Sequence, residues 1–360
     1  MPPPPTNTAA VALLESLLRI ESHSTREAAA VRHLVEAMAS FGLDAAIDQA
    51  GNAVATRGDP SPAAREIILL GHIDTVPGDI PVRIDADTLH GRGSVDAKGP
   101  LCAFTVAAAR ANIPPGVRLV VVGAVEEECA TSKGARHIAA TRRPHACIIG
   151  EPSHWDGVTL GYKGRLLCDF TFTRDAAHTA RPEPSAAEIG VEFWNRVRNA
   201  ADERNAANTR PGHFNTVQPT LRTISTTADG LHETVRLTIG WRLPPGVTPS
   251  EIEHAARALA PEAATLDFSG HEIAHQADRS NPVARALTAA IRAEGATPTP
   301  RLKTGTSDMN VVAPTWNCPI AAYGPGDANL DHTPNEHISI TEYLRSIDVL
   351  TRAIETLATD

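Results

Sequence analysis

Glu66-Ile67-Ile68-Leu69-Leu70-Gly71-His72-Ile73-Asp74 is the stretch that decides how this chain folds. Its first half is a continuous apolar run, the pattern of a strand covered on both faces in a parallel sheet. The run stops at a glycine and gives way to a histidine and an aspartate. These are two apart, so on an extended segment both side chains leave the same face. The same passage from buried strand to polar turn recurs downstream. Val117-Arg118-Leu119-Val120-Val121-Val122-Gly123 leads towards Val125-Glu126-Glu127-Glu128, and Ala146-Cys147-Ile148-Ile149 leads into Gly150-Glu151-Pro152. Around them the apolar spacing turns helical, over residues 9–41 with Gly42 as a C-cap, 99–111 and 132–141. Alternation of this kind predicts an α/β fold with a mostly parallel sheet flanked by helices.

The pattern changes after Lys163. Leu166 to Thr173 alternates as a half-exposed strand, and residues 184–204 read as an amphipathic helix burying Ile189, Phe193, Trp194 and Val197. Strands near 214–226 and 231–243 flank Asp229-Gly230, a hairpin signal. A helix near 249–260 and a strand near 263–269 complete β-α-β-β-α-β, the ferredoxin-like α+β unit. Helical patterning at 281–294 and 341–357 closes the chain. The expected organisation is a first domain in two parts, 1–162 and 273–360, interrupted by an insert over 163–272.

Composition narrows the function classes. The chain has 360 residues, 42% hydrophobic, with formal net charge −9 and no long basic run, which argues against nucleic acid as a partner. No apolar stretch is long enough to span a bilayer. Met1 and the four prolines after it lack the regions of a signal peptide, so a cytoplasmic protein is expected. The five cysteines are scattered without a CxxC, which favours reduced thiols over disulfides or a thiolate metal site. Only four of the 33 basic residues are lysine, namely Lys98, Lys133, Lys163 and Lys303, and such lysines are candidates for work arginine cannot do.

The polar turns carry metal-ligand chemistry. In α/β sheets, ligands gather at the carboxyl ends of strands. His72 can bind a cation through one ring nitrogen while Asp74 accepts the proton of the other. Gly91-Arg92-Gly93-Ser94-Val95-Asp96-Ala97-Lys98-Gly99 delivers Asp96 to a helix start, where it suits either an N-cap or a bridge between two cations. Lys98 in a first helical turn opposes the helix dipole and calls for local compensation, which an acidic site would give. In Glu126-Glu127-Glu128 one carboxylate can ligate while its neighbour acts as general base, and three glutamates leave the register open by one residue. Glu151 and His332, the latter in Asp331-His332-Thr333-Pro334-Asn335-Glu336, are further candidates. Imidazole and carboxylate ligands without thiolates suit zinc, cobalt or manganese.

Taken together, Gly71 to Pro77, Gly91 to Gly99, Glu126-Glu127, Gly150-Glu151-Pro152 and Gly324-Pro325-Gly326 through His332 to Glu336 make the chain similar to the M20 family of di-metal peptidases and deacylases. That resemblance covers nearly the whole chain. It implies two divalent metal ions per subunit, zinc or cobalt, with Asp96 bridging them, His72 and Glu151 completing one site, and Glu127 and His332 the other. It further implies that Asp74 orients His72, that Glu126 takes a proton from the attacking water and returns it to the leaving amine, and that the peptide bond after Asp96 is cis. The insert becomes a lid and dimerisation domain. Its segment Ala177-His178-Thr179-Ala180-Arg181-Pro182 resembles the one whose histidine hydrogen-bonds the developing oxyanion, often from the partner subunit, which implies a homodimer. Asn215, Arg242, Gly305 and Thr306 sit where the family binds substrate, and Arg242 suits a bidentate carboxylate. Trp241 departs from the acidic or isoleucine-type residue often found there.

Gly161-Tyr162-Lys163-Gly164-Arg165 and Lys303-Thr304-Gly305-Thr306-Ser307-Asp308 resemble the branch that releases lysine or ornithine from the C-terminal glutamate of a small acidic amino-group carrier protein, in lysine and arginine biosynthesis. Other readings are an N-acetyl-ornithine or N-acetyl-lysine deacetylase, a succinyl-diaminopimelate desuccinylase, and a non-catalytic metal-binding protein on the same scaffold. An acidic carrier meeting an acidic enzyme needs a basic patch, for which Lys133, Arg136, Arg142, Arg143, Lys163 and Arg165 are candidates.

Overall fold

The computed structural model describes residues 3–178, 180, 182–210 and 212–359. The chain forms two compact units, one of Met1–Gly161, Ala277–Leu302 and Ser307–Asp360, the other of Tyr162–Gln276 with Lys303–Thr306. Thr179 and Arg181 of the expected lid segment lie outside the described residues.

The first unit is built on a sheet in the order Asp44–Ile47, Ala53–Gly58, Val117–Ala124, Arg65–His72, Ala146–Gly150, Ile320–Ala322, Gly157–Tyr162. Its centre is parallel: Arg65–His72 pairs with Val117–Ala124 on one side and Ala146–Gly150 on the other, and Ile320–Ala322 continues alongside. The margins are antiparallel. Ile67, Ile68, Leu69 and Leu70 are all buried, as a strand covered on both faces requires. Helix Lys98–Arg110 is buried from Lys98 to Ala109, because it lies between the sheet and helices Asn7–Leu18 and Ile340–Thr359. The approach is closest at Gly150, where a Cβ would stand 2.8 Å from the Phe104 ring and 3.0 Å from the Gly71 Cα. Register then aligns those ends, with Gly71 opposite both Gly123 and Gly150, so three polar turns leave one edge of the sheet together.

Two features depart from expectation. The helical pattern over 9–41 is two helices, Asn7–Leu18 and Ala28–Ser40. The segment between them is pinned to the strand end by Ser22 Oγ donating to the Ile73 carbonyl and Ser24 Oγ to the Asp74 carboxylate. A small sheet of His337–Ser339, Thr88–His90 and Arg83–Asp85, not anticipated, lays the His332 loop beside the Asp96 loop.

The second unit is an antiparallel sheet in the order Gln218–Ala228, His232–Leu243, Gly164–Asp175, Thr265–Glu272, with helices Ala186–Ala206 and Pro249–Leu259. Its chain order is the predicted β-α-β-β-α-β. Both helices open with capping boxes, Ser185 with Glu188 and Thr248 with Glu251. Phe170 stacks on Phe193 at 4.5 Å, and Trp241 is buried in the same core. No helix of the described residues is long and apolar enough to cross a membrane.

Candidate metal centre

His72 closes its strand almost completely buried. Its Nδ1 lies 3.0 Å from the Asp74 carbonyl oxygen and 3.5 Å from the Asp74 carboxylate. A carbonyl oxygen only accepts, so Nδ1 donates a proton there and Nε2 is the nitrogen turned towards the carboxylates. Nε2 faces Asp96 Oδ1 at 3.1 Å and Glu151 Oε1 at 4.0 Å. The other oxygen of Asp96, Oδ2, is 3.0 Å from His332 Nε2, which is also 3.0 Å from Glu128 Oε1. Asp96 therefore turns one oxygen to each of two imidazoles. Its carboxylate is not a helix cap: the helix starts at Lys98, Ala97 is the N-cap residue, and the Asp96–Ala97 peptide is cis, as the resemblance implied. Three ligand sets converge, each within 4.8 Å: His72–Asp96–Glu151, His72–Glu127–Glu128 and Asp96–Glu128–His332.

Three glutamates leave the register open, and Asp74 orients the run. Asp74 is fully buried, and its Oδ1 accepts the Glu127 amide at 3.0 Å while Oδ2 accepts the Glu128 amide at 3.0 Å. Glu126 adopts φ +62°, its amide donates to Glu27 Oε1, and its carboxylate accepts from Thr131 Oγ1 at 2.6 Å with Lys133 Nζ at 3.7 Å. That backbone turn points Glu126 along its own loop. Glu128 takes the place beside His332 and Asp96 expected of Glu127, and Glu127 stands near His72.

The convergent carboxylates and imidazoles shift one another strongly. Burial and the Asp96 charge push the Glu128 carboxyl up to about 8. The Asp96 and Glu128 carboxylates raise His332 to about 11. Burial pulls His72 down, but Asp74 and Asp96 more than offset it and hold its pKa well above the usual value. Burial would raise Asp96, yet the His332 and His72 imidazoles keep it well below the usual carboxylate range. Protons thus balance the convergent negative charge, a task divalent cations perform when nitrogen and oxygen donors converge. No cysteine joins these sets among the described residues, and burial pushes the Cys102 and Cys147 thiols up. The donor chemistry fits zinc or cobalt.

The Lys98 ammonium donates to the Leu17 and Ile20 carbonyls at the end of helix Asn7–Leu18; burial lowers its pKa to about 8, against the opposing pull of Cys102 and of the nearby acidic groups Glu336 and Asp74.

The remaining predicted residues lie in the second unit. His178 is exposed, its Nδ1 accepting the Ala180 amide at 3.1 Å. Asn215 ends the short turn His213–Asn215. Arg242 Nη1 donates to Thr306 Oγ1 at 2.6 Å, which donates to the Lys163 carbonyl at 3.0 Å; Gly305 immediately precedes Thr306. Lys163 itself is fully buried, its Nζ donating to the carbonyls of His213 and Thr216 and to Gln218 Oε1. It therefore drops out of the basic patch suggested for steering. The role it plays, tying the Asn215 turn to the Arg242–Thr306 pair, carried no sequence signal beyond the rarity of lysine.

The sequence profile described as Peptidase family M20/M25/M40 matches residues 68–356. A [LysW]-lysine hydrolase of Deinococcus radiodurans is 48% identical, covering 99% of this chain and 99% of its own length. A putative [LysW]-lysine/[LysW]-ornithine hydrolase of Thermococcus kodakarensis is 40% identical over 96% of this chain and 92% of its own. Among solved structures, the M20 family metallo-carboxypeptidase Sso-CP2 from Sulfolobus solfataricus superposes with TM-score 0.80 at 15% identity, covering 98% and 99% of the two chains, a likeness of fold.

Proposed function

The chain belongs to peptidase family M20/M25/M40, and on that premise we propose that it is a cytoplasmic, metal-dependent amide hydrolase releasing lysine, ornithine or both from the C-terminal glutamate of a LysW-type carrier protein. The observation that carries the hydrolytic reading is Asp96, whose two oxygens each face an imidazole at 3.1 and 3.0 Å. His72, Asp96 and Glu151 would hold one cation, and Asp96, Glu128 and His332 the other. Two divalent cations bound there, most simply zinc, would supply Lewis acidity to the scissile carbonyl and acidify the attacking water. Glu127 takes the proton of the attacking water and passes it to the leaving α-amino nitrogen as the C–N bond breaks and the C–O bond forms. Arg242, steadied by Thr306 and flanked by Gly305, grips the carboxylate of the departing amino acid, with Asn215 beside it. His178 donates to the developing oxyanion. Residues 163–272, inserted in sequence between catalytic segments 1–162 and 273–360, serve as lid and dimerisation domain.

A substrate panel tests this. Metal-reconstituted protein is offered the carrier conjugates of lysine and ornithine beside N-acetyl-lysine, N-acetyl-ornithine and succinyl-diaminopimelate. The conjugates should show much the highest kcat/KM. Preference for a small acylated amino acid would replace the reading with a deacylase, and metal binding without turnover of any of them would leave a binding protein. Mixing inactive His178→Ala and Glu127→Gln proteins should restore activity if the histidine serves the partner subunit.

A further inference from the structure

Glu336 is a carboxylate with no exposed surface, and its partners lie on the other ligand-bearing loop. Its Oε1 accepts the Val95 amide at 2.9 Å and the Asp96 amide at 3.1 Å, and its Oε2 accepts Arg92 Nη1 at 2.8 Å. Arg92 Nε in turn donates to the Gly78 carbonyl at 2.9 Å. The backbone on either side is fixed as well: the Gly91 amide donates to the Glu336 carbonyl, and His337 pairs opposite His90 in the small sheet. Four residues before Glu336 stands His332, and the amide Glu336 holds belongs to Asp96. One buried side chain thus spans the two loops whose own side chains meet at 3.0 Å.

We propose that Glu336 is the positioning residue that couples the Asp96 loop to the His332 loop and so sets the geometry of the shared carboxylate for its cations. The proposal rests on the assignment of Asp96 and His332 as ligands. Its physical basis is the cost of the alternative. Without the carboxylate, two inward-facing amides lose their acceptor and the Arg92 guanidinium loses its counter-charge, so the 91–97 loop must move to find new partners. A loop that moves carries Asp96 with it, and side chains that orient ligands affect metal affinity even though they never touch the metal.

Co2+ titration of the metal-free full chain, followed by visible absorption, measures this without reference to activity. Wild type should take two equivalents. Glu336→Gln keeps the shape and one accepting oxygen, and should weaken at least one equivalent by about 10–100-fold. Excess Co2+ should then restore much of its kcat, which a merely structural role would not predict. Arg92→Lys, which keeps the charge but not the fork, should show a smaller loss in the same direction and serves if Glu336→Gln does not fold. Wild-type affinity in the folded variants would overturn the coupling, as would a lowered metal-free melting temperature with affinity intact. Asp96→Asn runs alongside. If it too bound both equivalents normally, the ligand assignment would fall and the coupling with it; if only Asp96→Asn lost metal, the coupling alone would fail.

Discussion

Asp74 is the most heavily engaged carboxylate at the strand ends, holding His72 on one side and the amides of Glu127 and Glu128 with the Ser24 hydroxyl on the other. An amide cannot replace it, because its NH2 group would face an N–H or O–H donor. Asp74→Asn should therefore cost about 1–3 kcal/mol of stability, read as a lower urea midpoint of the metal-free protein; an unchanged midpoint would mean the loop hangs from something else. The same anchoring decides which glutamate does what. Glu127→Gln should lower kcat by about 10²–10⁴-fold while both metals stay bound, whereas Glu126→Gln should remain within a few-fold of wild type. The reverse pattern would restore the register expected from the sequence. That register was not legible in the chain: three identical side chains give no clue to direction. It is set by the left-handed backbone at Glu126 and by acceptors fifty residues upstream. His332 was legible only in company with its neighbours, and it too sits at positive φ, +59°, a conformation that gathers at functional sites.

At the scale of elements, the loop from Val125 to Gly134 is held at both ends by one side chain. Asn52 Oδ1 accepts the Val125 amide at 3.0 Å, and its Nδ2 donates to the Gly134 carbonyl at 3.2 Å. Gly134 has no room for more: a Cβ there would lie 2.3 Å from Asn52 Oδ1 and 2.6 Å from the Val125 nitrogen. Gly134→Ala should therefore break the clasp, lowering the melting temperature and kcat together. Gly295→Ala, which meets open space at φ +85°, should cost only backbone strain, about 1 kcal/mol. Equal effects of the two, by calorimetry and steady-state rates, would deny the clasp. The strands feeding these turns were readable because each is a buried β-branched or leucine run ended by glycine. The second unit was readable because its strands alternate, its long helix is amphipathic and Asp229-Gly230 marks its hairpin. Asp44–Ile47, Ala53–Gly58 and Ile320–Ala322 escaped notice because runs of three to six residues carry too little period. Helix Asp308–Trp316 escaped because Pro314 interrupts it and it is buried nearly all round.

On the scale of the whole molecule, every candidate metal ligand belongs to the first unit, while the residues expected to grip substrate, His178, Asn215, Arg242, Gly305 and Thr306, belong to the second. Each unit has a core of its own, one around Leu69, Leu101, Phe104 and Val121, the other around Phe170, Phe193, Leu237 and Trp241. Separate cores permit separate unfolding, so a single melting temperature need not describe the chain. A ligand that binds only the folded first unit stabilises it by RT ln(1 + [L]/Kd), about 4 kcal/mol at a thousandfold excess over Kd. Scanning calorimetry should then show two transitions. Added zinc or cobalt should raise one of them and leave the other where it was, and a chelator should reverse the shift. The responsive transition can be assigned by Asp96→Asn, which should abolish the shift, and by a core substitution such as Phe193→Ala, which should lower the unresponsive one by the equivalent of about 3–5 kcal/mol. If metal instead moved the transition that Phe193→Ala lowers, the cations would be held by the other unit, and the ligand set centred on Asp96 would be wrong.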